Sequence, residues 1–428
     1  MIQVTQIKAS QTDTGATLSA EIRCPGSILD ASPLWLCYPS EFYDCLSSSA
    51  DPWIAMLLWP AMRLGQDLYV DAVASSKLVE AAPTLMDIMH CWDPRFRSIA
   101  VRSEGTSCDR KAGTATASFF SGGVDSFYTA LKNTAPETPL QTRLTHLISV
   151  KGLDVRLCNE ALWTQVRSRL RAAAADLGCA WVECATNVRE LIPEDLIAWR
   201  MYYGAVLAGI ALGMQGLWKS VMIPADFTYA EMHPNGSSPL MDPLWSTESV
   251  RFASDGPEAT RVEKVVSRIA QSEVALEHLR VCWKNPEGRY NCGACEKCIR
   301  TMVGLEIAGV MDRCQSFDRP LDYRDVSRVA LKTPGQRALM AQNYQAAQAA
   351  GVDRRLIRAL KRCVDPSLAW RVRWALDRCA RRVVGGLDRL LLAGRLRAWY
   401  RRTGAPSPER LIPPDLCAHT QDAQRKAS

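Results

Sequence analysis

The sequence lacks any long hydrophobic run. Its longest apolar stretch, Ala205–Met214, is far short of the ~20 residues a membrane-spanning helix needs, so no transmembrane segment is expected. Met1-Ile2-Gln3-Val4-Thr5 carries no basic region leading into an apolar core, so no signal peptide is expected and the cytoplasm is the expected compartment. Without a secretory signal, disulfides are not expected either; of sixteen cysteines, twelve are scattered and read as small buried hydrophobes. The body of the chain also lacks positive charge. Residues 353–402 hold 15 Lys/Arg against 4 Asp/Glu, a local +11, and residues 403–428 balance at three of each. Of the net +7, residues 1–352 therefore carry −4. Hydrophobic (47%) and charged (23%) contents are those of a globular chain, and 428 residues exceed one compact core, so two or three domains are expected.

What is present centres on Ala117-Ser118-Phe119-Phe120-Ser121-Gly122-Gly123-Val124-Asp125-Ser126-Phe127-Tyr128-Thr129-Ala130-Leu131. The run ending at Phe120 reads as a buried strand, Ser121-Gly122-Gly123 as a tight turn, and Phe127–Leu131 as the first turns of a helix. A strand, a glycine turn and a helix in that order form an anion site, because the free N–H groups at the helix start point at the ligand from the positive end of the dipole. Ser121 and Ser126 add hydroxyls, and Asp125 adds a carboxylate able to hold Mg²⁺ or position a reacting group. The bland alternative is an ordinary Gly-Gly turn. The spacing is not that of the Walker A loop. The motif Ser-Gly-Gly-x-Asp-Ser resembles the PP-loop of the ATP pyrophosphatases. That resemblance implies that Ser121, Gly122, Gly123, Val124, Asp125 and Ser126 grip the β,γ-pyrophosphate of ATP, while the α-phosphorus is attacked and AMP passes to the substrate.

Around this loop the pattern alternates. Thr114–Phe120, Leu144–Val150, Ala180–Cys184 and Leu217–Ile223 read as strands; Asn159–Leu177, Asp195–Gly213 and Glu258–Ala270 (Pro257 in its first turn, Asp255 as cap) read as helices. The expected class is α/β, a doubly wound parallel sheet over residues 113–315 with its site at the carboxyl ends of the strands. Those ends contribute Gly152 and Asp154 to the nucleotide site, and Thr186-Asn187. The last is followed, after the fourth strand, by a long excursion, residues 224–248, read as a substrate loop or lid. His233 and Asp242 are its acid/base or orienting candidates, with turn capping as the plain alternative. Residues 1–105, with strands at Ile2–Ala9, Ala16–Arg23, Trp35–Tyr38 and Asp67–Val73, read as a separate N-terminal α+β domain that either walls the substrate pocket or is purely structural. Residues 320–402 read as a basic helical extension: Gln342–Ala350, then Arg354–Cys363, Leu368–Val384 and Leu387–Arg402. These helices either cap the body or meet nucleic acid or an anionic surface. Residues 403–428 read as a loose tail.

Four cysteines stand together as C-x₉-C-x₂-C-x₂-C: Cys282, Cys292, Cys295 and Cys298. Four thiolates close a tetrahedral Zn²⁺ shell with no open position, which makes the metal structural; an iron–sulfur cluster is the rival. Glycine-loop and four-cysteine motifs together resemble the 7-cyano-7-deazaguanine synthases and their relatives, over roughly residues 113–310. The resemblance implies ATP, Mg²⁺ and Zn²⁺ as cofactors and Ser121, Asp125 and Ser126 as catalytic residues; His233 and Asp242, read from the long loop itself, complete the expected catalytic set. The chemistry it implies is adenylation of a carboxylate or amide of a small molecule or peptide, followed by transfer of ammonia or an amine to give an amide or nitrile. Position 2 is Ile, so an N-terminal glutaminase is not expected, and the nitrogen comes from free ammonia, a partner or an amine substrate. The alternatives are a PP-loop sulfurtransferase acting on RNA, which needs a cysteine such as Cys158 or Cys184 near the loop, and a non-catalytic nucleic-acid-binding protein.

Overall fold

The computed structural model describes residues 1–365 apart from 14, 28, 31 and 110. The helices expected at Leu368–Val384 and Leu387–Arg402, and the tail 403–428, lie outside the described residues. Strands β1 (Ile2–Thr12), β2 (Gly15–Arg23), β3 (Ser32–Tyr38), β4 (Leu68–Ser75) and β5 (Val101–Ser107) precede β6 (Ala115–Phe119), β7 (His146–Lys151), β8 (Ala180–Thr186), β9 (Trp218–Pro224) and β10 (Arg251–Asp255). All ten form one sheet in the order β10-β9-β6-β7-β8-β3-β2-β1-β4-β5. β10, β9, β6, β7 and β8 are mutually parallel; β3 and β2 are antiparallel to their neighbours; β1, β4 and β5 are again parallel to one another. The α/β class is therefore observed, with a mostly parallel sheet. The chain winds from the central β6 outward, first through β7 to β8, then back across to β9 and β10. Such a reversal opens a crevice at the carboxyl ends of β6 and β9, where open α/β sheets bind ligands.

Residues 1–105, expected as a separate unit, supply five strands' worth of this same sheet. The junction is narrow: β3 meets β8 only at Leu36↔Thr186 and Cys37↔Ala185. Side chains reinforce it. Asn187 Oδ1 accepts from Trp35 N at 3.1 Å, Asn187 Nδ2 donates to Pro33 O at 2.8 Å, and the Thr186 hydroxyl donates to Trp35 O at 2.9 Å.

Helices cover both faces: α1 (Asp51–Leu64), α2 (Ser76–Trp92), α3 (Val124–Thr134), α4 (Glu160–Asp176), the single turn α5 (Val188–Leu191), α6 (Trp199–Leu212), α7 (Arg261–Ser267), α8 (Glu273–His278) and α9 (Glu296–Ile307), followed by α10 (Tyr323–Arg328), α11 (Pro334–Ala350) and α12 (Arg354–Val364). Alternation along the strands sorts side chains between two cores. Ala117, Phe119, Val221 and Ile223 face the core of α1 and α6; Phe120 and Met222 face the core of α3, α4, α8 and α9. α1 is buried on every side from Asp51 to Met62 and packs on α6; each large apolar side chain so buried is worth roughly 1.5–3 kcal/mol. α9 lies between two layers, with Cys298 and Met302 turned inward and Ile299 and Val303 turned to the outer core formed with α10–α12. α12 places Leu356, Ala359, Leu360 and Cys363 in that outer core and leaves Arg354, Arg355, Arg358, Lys361 and Arg362 in solvent. The first basic helix is thus a cap with a cationic outer face.

Several boundaries differ from the sequence expectation: α6 starts at Trp199 rather than Asp195, and α11 at Pro334 rather than Gln342. Asp255 does not cap a helix; it ends β10, a short strand pairing with β9. The following helix starts at Arg261, because Thr260 and Glu263 form a reciprocal capping box there. The excursion after β9 is packed down rather than free. Gly236 N donates to Arg200 O at 2.7 Å, and a Cβ on Gly204 of α6 would lie 1.9 Å from Gly236 O. Gly204→Ala should therefore push the loop off α6 and lower stability by about 1–3 kcal/mol, as overpacking does. Thermal unfolding of the variant at the wild-type temperature would show that the loop yields without cost.

Candidate active site and metal centre

β6 delivers Ser121–Ser126 to the crevice. Gly122 takes φ 76°, open only to glycine at low cost, and its carbonyl accepts from Arg280 N at 2.7 Å. The Ser126 hydroxyl donates to Gly123 O at 3.0 Å and lies 3.5 Å from the exposed Ser121 hydroxyl. α3 starts at Val124 with Gly123 as N-cap and no side-chain cap. Its first N–H groups therefore face the crevice without a side-chain acceptor, as an anion-binding helix start requires.

Asp125 sits in the first turn of α3 and is engaged on both oxygens. Arg261 Nη2 donates to Oδ2 at 2.6 Å, and Lys264 Nζ donates to Oδ1 at 3.0 Å. Burial works against its charge, but the two cations outweigh burial and hold its pKa down at about 2. Lys264 also donates to Ala225 O at 2.7 Å, and Arg261 to Asp226 Oδ1 at 3.1 Å. α7 explains the geometry: its capping box sets Arg261 in the first turn, and Lys264, three residues on, falls on the same face. Two further arginines crowd the site. Arg280 leads out of the backbone contact with Gly122 and donates from Nη2 to Asn285 Oδ1 at 2.8 Å. Arg300 on α9 pairs with Glu296 at 2.9 Å; burial first, and then the like charge of Arg261, lower its pKa to about 10. Asp125 already faces two cations, Arg261 and Lys264, which balance its charge and repel a third, so the residues present do not fit Mg²⁺ held by Asp125.

Gly152 and Asp154 do lie at the carboxyl end of β7, next to β6. Gly152 has φ 96°, and a Cβ there would sit 2.0 Å from Thr186 O. The Asp154 side chain is exposed, and its carbonyl accepts from Asn285 Nδ2 at 2.9 Å. His233 and Asp242 are not brought together. His233 is exposed, packs edge-on to Phe227 with ring centres 4.2 Å apart, and has Nδ1 2.8 Å from Glu231 O. Asp242 is fully buried, accepting from Ser237 Oγ at 2.8 Å and Ser238 N at 3.1 Å; burial raises its pKa to about 7. A hydrogen-bonded chain links it to the loop: Ser237 O accepts from Asn235, whose amide also donates to the Tyr203 hydroxyl at 2.8 Å. Tyr203 in turn donates to Asp226 at 2.8 Å, and Asp226 pairs with Arg261. Asp226, Phe227, His233, Asn235 and Ser237 line a shallow dent beside this chain with room for about 10 Å³, no more than a water molecule. Of the two sulfur-carrier candidates, Cys184 is buried with its pKa driven well up by desolvation, and Cys158 is exposed ahead of α4.

Cys282, Cys292, Cys295 and Cys298 converge, all buried, with their sulfurs within 4.8 Å of one another and Cys292 and Cys298 Sγ 3.8 Å apart. A tetrahedral shell of Zn–S bonds near 2.3 Å requires sulfur separations of about 3.8 Å, so the four fit a bound metal such as zinc. Asn291 fixes the knuckle: its Oδ1 accepts from Val281 N at 2.9 Å and Cys282 N at 3.2 Å, and its Nδ2 donates to Leu279 O at 2.8 Å and Ser316 O at 2.9 Å.

Comparison with protein-family models, with curated proteins and with solved structures finds no match. The cations Arg261, Lys264, Arg280 and Arg300 are the site residues that sequence reasoning missed. The Thr260–Glu263 box with Arg and Lys three apart was the available signal for the first two.

Asp242 supplies a pH test. Its pKa is higher in the folded chain, so between roughly pH 4 and 7 the fold holds a proton the unfolded chain releases. Stability from this group is full below that window, falls as pH rises through it, and is lost above 7. Asp242→Asn should therefore gain thermal stability relative to wild type as pH rises from 4 to 8; a difference that stays flat across pH would place the Asp242 pKa in the ordinary range.

Proposed function

We propose that the chain is an ATP-dependent, AMP- and pyrophosphate-forming ligase or synthase that adenylates a carboxylate or amide of its substrate and passes it to a nitrogen nucleophile. One observation carries this: a serine–glycine loop and an uncapped helix start stand at the carboxyl end of the central strand, at the reversal of the sheet, ringed by Arg261, Lys264 and Arg280. A site of N–H donors and buried cations suits the negative charge that gathers on a departing pyrophosphate. In the reaction, a substrate oxygen attacks the α-phosphorus of ATP, the bond to the bridging oxygen breaks, and pyrophosphate leaves. The Val124–Ser126 amides and the Ser121 and Ser126 hydroxyls hold the leaving group. Asp125 does not touch it; it holds Arg261 and Lys264 in place. Ammonia or an amine then displaces AMP.

ATP–pyrophosphate exchange with a panel of carboxylates tests the reading. Ser121→Ala, at an exposed hydroxyl, should cut exchange by roughly 10²-fold with unfolding unchanged. Asp125→Ala should lose exchange and also about 3 kcal/mol of stability, since it leaves the buried Lys264 without a counter-charge. Exchange at the wild-type rate in both variants would sink the proposal.

The exposed cationic face of α12 favours a polyanionic partner, nucleic acid or an anionic surface, for the same protein. Heparin or RNA retention should fall steeply between low and physiological salt, as counterion release requires. Retention that is absent, or indifferent to salt, would remove the partner.

A further inference from the structure

The four-cysteine knot and the glycine loop share a stretch of chain, and that stretch carries two buried arginines. Arg280 stands two residues before Cys282, and Arg300 two residues after Cys298. They are 4% and 5% exposed, and the Nε of each has no hydrogen-bond partner. Buried donors are seldom left unpaired, and an orphan of this kind marks a place for an acceptor that comes with a ligand. Arg280 is fixed to the loop through its own N–H on Gly122 O. Its guanidinium is aimed by Asn285, a residue inside the knot held at φ 46°, whose other amide end reaches Asp154 O at the end of β7. Asn291 ties the two arms of the knot together by bonding Val281 and Cys282 from the position before Cys292. The Arg280 side chain therefore has its place beside the loop only while the knot keeps its shape.

We propose that Arg280 is an oligophosphate-binding residue positioned by Asn285, and that metal in the four-cysteine knot and pyrophosphate at the Ser121–Ser126 loop raise each other's affinity. The proposal rests on the anion reading of that loop. A metal that closes the knot pre-orders the Asn285–Arg280 arm; a bound pyrophosphate, held by the same arm, resists loss of the metal. Coupling of this kind is reciprocal by thermodynamic necessity and typically amounts to about 5–150-fold.

The test uses the zinc-loaded full chain and inorganic pyrophosphate. Calorimetry should give pyrophosphate affinities lowered about tenfold by Asn285→Gly, which keeps the left-handed backbone, and by Arg280→Gln, with metal content unchanged. In the wild type, release of zinc to a chromogenic chelator should slow about tenfold on saturation with pyrophosphate. Pyrophosphate that binds the wild type and both variants equally, or that leaves zinc release unchanged, overturns the coupling while sparing the loop reading. Zinc-loaded wild type that binds no pyrophosphate overturns both. Should Asn285→Gly lose its zinc, the wild-type release measurement decides alone.

Discussion

An ionised carboxylate in the first turn of α3 is the constraint from which the rest of the site follows. A buried charge is tolerated only when it is paired and hydrogen-bonded, and Asp125 meets that condition through Arg261 and Lys264. Meeting it fixes much else. α7 must start at Arg261 and turn one face to α3; the end of β9 must present the Ala225 carbonyl to Lys264; Asp226 must stand by to share Arg261. Three segments far apart in sequence are thereby drawn over the carboxyl edge of β6 and β9. The same pairing sets the electrostatics: it holds two cations at the start of α3.

Much of this was legible in the sequence, and the failures have physical causes. The Ser121–Ser126 turn, the strands β6–β9, α4 and the four cysteines were readable because each is a local pattern of period or spacing. α1 was not, because it is apolar on all sides and so shows no helical stripe, and because Pro52 and Pro60 argue against a helix unless tertiary packing overrides them. β10 was missed because Arg251-Phe-Ala-Ser-Asp is short and half polar. The pairing of Asp125 with Arg261 spans 136 residues, and no local signal reports it. Likewise β1 to β4 were visible one by one, while their joining to β8 was not, since an edge-to-edge pairing leaves no mark in either segment alone.

The two candidate polar residues of the long excursion divide in the same way. His233 stays at the surface against Phe227, where a turn-forming residue would be placed as readily as a functional one. Asp242 is drawn fully inside and kept among hydroxyls and an amide, with no cation to hold its charge. Its connection to Asp226 through Asn235 and Tyr203 means that its protonation is felt along a polar thread ending at Arg261. Loop and crevice are one electrostatic unit, although they share no backbone pairing in the sheet.

The narrow seam between β3 and β8 has a consequence for how the molecule is made. Trp35 and Asn187, which meet there, are 152 residues apart. During synthesis the amino-terminal strands leave the ribosome with the β3 edge unsatisfied, and the partner that closes it emerges only after α4 and β7. Pro33, which has no N–H to offer, and the brevity of the contact blunt that edge against pairing with a stranger. The nascent chain thus carries its own guard over the interval in which a half-built sheet is most exposed to misassembly.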